Sequence, residues 1–289
     1  SVGYHAGGYT AFAFDVTPYC RFGQTNYIRL VVSNAYNENI LPLSADFTFF
    51  GGVYRDAFLV AAPSLHFSTS HYATRGVFVY TPQVSDSQAA VRIEALTSGQ
   101  GKVEFVVSGH GFSKTLKASA RRGKATAQLT IPHPALWGPD TPNLYSVSCR
   151  LYDKHGTLQD EVSESFGLRW YTFGEDNMFY LNGQKIKLIG SSRHQCYKHL
   201  GNALPDSLQR KDILMIKAMG ANFLRVAHYP QGEYIMHLCD SIGLLCSVEI
   251  PLVNAITETD SFASCCRNML DEMVWQNRNH PSVVIWAYS

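Results

Sequence analysis

From about Tyr171 onward the chain alternates short apolar runs with amphipathic stretches, and this constrains the fold more than any other feature. Residues 186–190, 222–227, 244–250 and 282–288 read as strands. Between them, residues 206–219, 231–242 and 262–276 read as helices. Each places apolar residues on one face: Leu208, Met215, Ile216 and Met219, then Tyr234, Ile235, Leu238 and Ile242, then Cys266, Met269, Leu270 and Met273. Gly220 and Gly243 supply C-terminal stops. The order βαβαβαβ calls for parallel strands joined by crossover helices. Four such units, doubled, close a (β/α)8 barrel, so residues 171–289 predict the N-terminal half of a TIM barrel.

Upstream the grammar is all β. Residues 9–16 place Phe12, Phe14 and Val16 at period two, and residues 27–32 and 53–60 are rich in β-formers, with turn residues between. Residues 1–62 therefore read as part of a β-sandwich. Pro63 marks a boundary. Strands expected at 76–80, 90–95, 102–108, 125–131 and 144–152 suggest a second, immunoglobulin-like sandwich over 63–170. Arg121, Arg122 and Lys124 read there as a solvated strand edge that discourages aggregation. Neither terminus has the character of a chain end, so the sequence reads as the middle of a longer protein.

In such a barrel the reacting groups sit where strands end and βα loops begin. After the first strand come Ser191-Ser192-Arg193-His194-Gln195-Cys196. After the second come His228-Tyr229-Pro230. Glu249 ends the third, and the fourth carries Trp286. Two histidines, a carboxylate and a tryptophan thus share one rim. His194, His228 and Glu249 have the ligand types of a zinc triad. The abundant aromatics, with 16 Tyr, 16 Phe and 4 Trp, suit sugar faces instead.

Several classes are disfavoured. A net charge of +1 gives no footprint for nucleic acid. No run reaches the roughly 18 apolar residues of a membrane span. No Gly-rich phosphate loop precedes a helix, so no nucleotide cofactor is expected. The seven cysteines form no C-x-x-C pair and read as free thiols. A soluble protein, cytoplasmic or periplasmic, is expected, and a homo-oligomer stays open.

Four stretches carry a family likeness. They are His5-Ala6-Gly7-Gly8-Tyr9-Thr10-Ala11-Phe12; Ala45-Asp46-Phe47-Thr48-Phe49-Phe50-Gly51-Gly52-Val53-Tyr54-Arg55-Asp56; Phe166-Gly167-Leu168-Arg169 through Leu181-Asn182-Gly183 to Arg193-His194; and Met219-Gly220-Ala221-Asn222-Phe223-Leu224-Arg225-Val226-Ala227-His228-Tyr229-Pro230, closing with Asn279-His280-Pro281-Ser282-Val283-Val284-Ile285-Trp286. In this order they resemble glycoside hydrolase family 2, the β-galactosidase, β-glucuronidase and β-mannosidase group, and β-galactosidases most.

The resemblance implies a jelly-roll sugar-binding domain ending near residue 62, an immunoglobulin-like sandwich over 63–170 and a catalytic (β/α)8 barrel from 171. It implies retaining hydrolysis of a β-galactoside by two carboxylic acids about 5 Å apart. Neither acid lies in this chain. Trp286-Ala287-Tyr288-Ser289 fits the run before the acid/base Glu, which is expected two residues after Ser289, so the chain as written is expected to be inactive. The histidines His194 and His228 match sugar-binding positions, and Asp46 matches an acid that reaches the barrel mouth from the jelly roll. Arg55 reads as packing a domain joint. Cys196 stands where many members carry Asp. The residues imply no cofactor, and a divalent or monovalent cation is possible in the longer parent. The partner implied is a carbohydrate substrate. The rival readings are a β-glucuronidase or β-mannosidase, or a non-catalytic carbohydrate-binding relative.

Overall fold

Seven antiparallel strands form the middle of the molecule: β1 (Val77–Val84), β2 (Gln88–Leu96), β3 (Gly101–Gly109), β4 (Phe112–Ala120), β5 (Lys124–Pro132), β6 (Tyr145–Tyr152) and β7 (Leu158–Phe166). The computed structural model describes residues 1–288. The strands make two sheets, ordered β1-β2-β5 and β4-β3-β6-β7. Alternate residues of both sheets face one core that includes Val91, Ile93, Phe105, Val107, Ile131, Val147 and Leu151. Two of these strands, β4 and β7, are absent from the sequence reading. Both are sheet edges with mostly polar, half-exposed residues. An edge strand is kept polar because an apolar edge invites pairing with another chain, and that polarity erases the alternation that marks a strand.

A small antiparallel sheet follows, of β8 (Tyr171–Phe173), β9 (Phe179–Leu181) and β10 (Gln184–Ile186). Then comes the parallel unit: β11 (Gly190–Arg193), α1 (Asp206–Ala218), β12 (Phe223–Val226), α2 (Glu233–Ile242), β13 (Leu245–Glu249), α3 (Asp260–Asn277) and β14 (Val283–Ala287). Its strands lie in sequence order, β11-β12-β13-β14, all parallel. Ser289, part of the run expected to lead to the catalytic acid, lies outside the described residues.

The first parallel strand starts four residues later than the apolar run suggests. Asn222 explains the shift. Its amide accepts from the Ile189 backbone N–H at 2.8 Å and donates to the Lys187 carbonyl at 2.9 Å, and the Ile189 carbonyl accepts from the Asn222 and Phe223 N–H groups, so 187–189 is tied around one residue before the regular ladder begins. Gly190 then opens β11, where a Cβ would lie 1.6 Å from the Phe223 carbonyl oxygen. Only glycine permits that approach. The delay places His194 directly after the strand.

Residues 1–62 overturn an expectation. The strands read at 9–16, 27–32 and 53–60 are not formed, and the segment holds one short 3-10 turn, Thr17–Tyr19. An extended segment becomes a strand only when a neighbour takes its N–H and C=O groups. Here no ladder partner is present among the described residues, and Tyr27, Val31, Phe58 and Leu59 stay largely exposed. The segment is held by side chains instead. His5 meets Glu272 of α3 at 2.9 Å, and Thr10 donates to the same carboxylate. Gln276 exchanges two hydrogen bonds with the Ala11 backbone, and Leu41 enters the barrel core.

The sandwich is joined to the parallel unit by polar and aromatic contacts. Asn279 donates to the Val77 carbonyl and accepts from the Val79 N–H, acting as a strand neighbour for β1. The Arg278 guanidinium lies 4.4 Å from the Tyr80 and Trp275 ring centres, a cation–π arrangement. Buried Trp137 donates to the Asp240 carbonyl, and Arg169 donates to the carbonyls of Pro281 and Val283. Among the described residues, no helix is long and apolar enough to cross a membrane.

Candidate active site

The C-terminal ends of β11, β12 and β13 bring three expected residues together. The ring centres of His194 and His228 lie 5.2 Å apart, near enough for both to border one sugar-sized space. Glu249 stands behind His228. Its Oε1 is 2.9 Å from His228 Nδ1, and Arg225 grips the carboxylate with Nε and Nη2 at 3.0 and 2.9 Å. Each carboxylate oxygen therefore has a donor. Arg225 Nη2 also lies 3.1 Å from His228 Nδ1, so that nitrogen meets both a donor and an acceptor, and the ring is held in place by both. Glu249 is buried and already engaged, so it orients His228 rather than facing open space.

His194 is half-buried, and its Nδ1 has no hydrogen-bond partner among the described residues. Burial holds its pKa below the ordinary histidine range, and His228 lowers it further, while Asp46 and Glu249 pull in the other direction. That unanswered nitrogen is itself buried, so the polar edge His194 can offer to a ligand is its other nitrogen.

Asp46 is exposed and near enough for its charge to act on His194. Its neighbour Phe47 closes one side of the space, with ring centres 5.3 Å from His194 and 5.9 Å from His228, nearly parallel to the latter. Phe47 was not singled out from the sequence. The available signal was its place beside Asp46 in the second motif. Trp286 is not brought to the pair. It is half-buried against the core and sits beside Val248 in the ladder, with no ring contact to either histidine among the described residues.

The two histidine loops are tied from below. Arg193, buried at the end of β11, donates to Asp212 of α1 through Nε and Nη2, at 3.2 and 2.9 Å. Its Nη1 donates to Gln231 Oε1 at 2.5 Å, and Gln231 Nε2 returns a bond to the Arg193 carbonyl at 2.7 Å. This reciprocal pair links the residue before His194 to a residue three beyond His228. The Ala227–His228 peptide bond is cis.

A second cluster lies apart from this rim. His237 and Asp240 of α2 meet His280, with ligand atoms within 4.8 Å of one another. Asp240 Oδ2 is 2.5 Å from His280 Nδ1, and Oδ1 accepts from the Ser282 N–H at 3.0 Å. Both oxygens are answered within the protein, so the cluster is a closed joint beneath the sandwich.

With this geometry in view, two family models match in chain order. "Glycosyl hydrolases family 2" covers residues 75–169, and "Glycosyl hydrolases family 2, TIM barrel domain" covers residues 174–289. The chain belongs to glycoside hydrolase family 2. It is 33% identical to a beta-glucuronidase of Bacteroides fragilis, matching 99% of this chain and 44% of that protein. Identity is also 33% to a beta-galactosidase of Thermoanaerobacter pseudethanolicus, over 99% of this chain and 39% of the relative. The crystal structure of a Bacteroides uniformis beta-glucuronidase superposes with a TM-score of 0.92 at 37% identity, covering 99% of this chain and 36% of that one. The chain thus spans less than half the length of each.

Proposed function

We propose that this chain supplies the sugar-holding part of the active site of a retaining β-glycoside hydrolase, with terminal β-D-galactosides as substrates. The observation that carries the reading is the rim itself: His194 and His228 stand with ring centres 5.2 Å apart at neighbouring strand ends, with Phe47 packed beside both and the Asp46 charge near enough to act on His194. In this reading residues 1–62, which form no strand among the described residues, are the part of a jelly-roll domain that meets the barrel, 63–170 an immunoglobulin-like sandwich and 171–289 the first half of the barrel. His194 and His228 hydrogen-bond sugar hydroxyls, Asp46 accepts from another, and the acid/base Glu follows Ser289 by two residues.

The exposed carboxylate of Asp46 favours a neutral sugar, since a uronate would add a like charge. The second reading, a β-glucuronidase, is favoured by the relatives that carry that name. A panel of chromogenic β-galactoside, β-glucuronide and β-mannoside offered to the full-length protein separates them. Turnover of the galactoside with retained configuration is expected. Selective turnover of the glucuronide moves the assignment to the second reading. An inverted first product, or turnover by a protein ending at Ser289, rejects the mechanism.

A further inference from the structure

Residues 1–62 deliver Asp46 and Phe47 to the barrel rim without a β-ladder, so something else must fix their distance from the histidines. Local contacts give only part of the answer. Asn34 donates to the Phe49 carbonyl at 2.9 Å, and Phe50 packs so closely on Gly201 that a Cβ there would lie 2.8 Å from its ring. The contact that reaches both histidine loops at once is the guanidinium of Arg55.

Arg55 Nη1 donates to the Tyr9 carbonyl at 2.6 Å. Its Nη2 donates to Gln195 Oε1 at 3.0 Å and to the Pro230 carbonyl at 2.7 Å. Gln195 follows His194 directly and is buried, and Pro230 lies two residues after His228. Tyr9, held by the same guanidinium, stacks on Tyr229 with ring centres 4.3 Å apart. One planar group thus joins three separate stretches of chain: the N-terminal segment, the loop after β11 and the loop after β12.

The electrostatics are unusual for a half-buried arginine whose guanidinium is enclosed by protein. Among the described residues Arg55 makes no ion pair, and its Nε–H meets no acceptor. Burial lowers its pKa from the ordinary arginine value. A desolvated cation without a counterion is costly. What the residue supplies in return is reach, because the fork places two nitrogens in one rigid plane and a lysine ammonium does not.

We propose that Arg55 is a positioning residue of the hydrolytic site, setting the separation between Asp46 and the His194–His228 pair. The inference rests on the function proposed above and goes beyond it, since Arg55 touches neither the sugar space nor any reacting atom. A displacement of about 1 Å in such a site can cost about 100-fold in rate.

The test uses the full-length enzyme with Arg55→Met, Arg55→Lys and Gln195→Met, each alone and with Asp46→Ala. Arg55→Met is expected to lower kcat/KM about 10- to 100-fold with a small change in Tm, because methionine removes a costly buried charge while filling most of its volume. Arg55→Lys should not restore activity, because it keeps the charge and loses the fork. With Asp46→Ala present, Arg55→Met should add less than about threefold, as expected for residues acting through one arrangement. Amide hydrogen exchange should rise at 194–197 and 228–231 and stay unchanged in β2 and β3.

Wild-type kcat/KM in Arg55→Met overturns the proposal. Full recovery by lysine does so too, as does an equal loss with and without Asp46. If Arg55→Met fails to fold, Gln195→Met decides: an unchanged kcat/KM there overturns the proposal. If the wild-type enzyme hydrolyses no glycoside, the proposed function fails, and hydrogen exchange alone judges the anchoring, with unchanged exchange in both loops rejecting it.

Discussion

Two histidine–carboxylate pairs in this chain have the same chemistry and opposite surroundings. At the rim, His228 meets Glu249 at 2.9 Å, with Arg225 beside it 43% exposed and His194 carrying an unanswered nitrogen. At the joint, His280 meets Asp240 at 2.5 Å, the histidine 6% and the aspartate 1% exposed, and the second aspartate oxygen is closed by a backbone N–H. The joint pair has spent its polar capacity on the protein. At the rim the unanswered atom belongs to the neighbouring His194. Buried polar groups are normally satisfied; among the described residues, at the joint the Asp240 carboxylate is satisfied on both oxygens, with Ser282 Oγ beside it unpartnered, and at the rim His194 Nδ1 is the unpartnered atom.

The comparison breaks most directly at Asp240. Removing its side chain in Asp240→Ala leaves the His280 ring nitrogen and the Ser282 N–H buried without a partner. The expected cost is about 3–5 kcal/mol of stability. Urea unfolding followed by tryptophan fluorescence reads it, since Trp137 bonds to the carbonyl of the same residue. Asp240→Asn keeps one acceptor and should cost less. An alanine variant with wild-type stability contradicts the structural reading of the joint.

At the rim the cost should appear in catalysis instead. In the full-length enzyme, Asp46→Ala is expected to lower kcat/KM by a factor equivalent to about 1.5–3 kcal/mol, the range for a hydrogen bond to a charged group. Stability should stay within about 0.5 kcal/mol, as is usual for exposed positions. Glu249→Gln is expected to be milder in rate, about 1–2 kcal/mol in kcat/KM, because the amide still offers one oxygen to Arg225 or His228 but loses the charge that holds both. Kinetics on the best chromogenic glycoside checks both. A loss confined to stability in either variant would place that residue with the joint.

The rim was legible because one rule, strand ends in a parallel barrel, converts sequence position into spatial position. It placed His194, His228 and Glu249 at one rim without a structure, though not the engagement of Glu249 by His228 and Arg225, and the helices 206–219, 231–242 and 262–276 were placed within two residues at their ends. Trp286 followed from the same rule and failed, because a strand-end residue faces either the rim or the packed layer and the motif does not say which. The joint was invisible. Asp240 looks like a polar-face helix residue, and His280 like one letter of a motif, until α2 and the loop before β14 are seen together. Residues 1–62 failed for a third reason. Their composition is that of strands, but strand formation depends on a partner that propensity does not reveal. Arg55 was read as packing a domain joint, and its three acceptors, 46, 140 and 175 residues distant in sequence, are what the sequence could not name.

The smallest effect, and the sharpest on sign, concerns pH. Burial and His228 lower the pKa of His194, whereas the hydrogen bond to Glu233, followed by the charges of Glu233 and Asp240, raises that of His237 against the opposing effects of burial and Arg75. Unfolded, both titrate near 6.5. As pH falls below about 6.5 the unfolded chain takes up a proton at His194 that the folded chain refuses. His194 therefore costs stability on the acid side, and its contribution is complete only above the unfolded value. His237 behaves in reverse. The folded chain holds its proton at a pH where the unfolded chain has lost it, so its contribution is full below about 6.5 and fades as pH rises through the folded pKa. Replacing each by Gln should tilt the pH–stability profile in opposite directions: His194→Gln should relieve the acid-side loss, and His237→Gln should remove an acid-side gain. Both residues keep solvent contact, so the tilts are modest. Denaturation midpoints between pH 5 and 8 are enough to read them. Tilts of the same sign in the two variants would mean that the rim and the joint do not differ in the way their hydrogen bonds indicate.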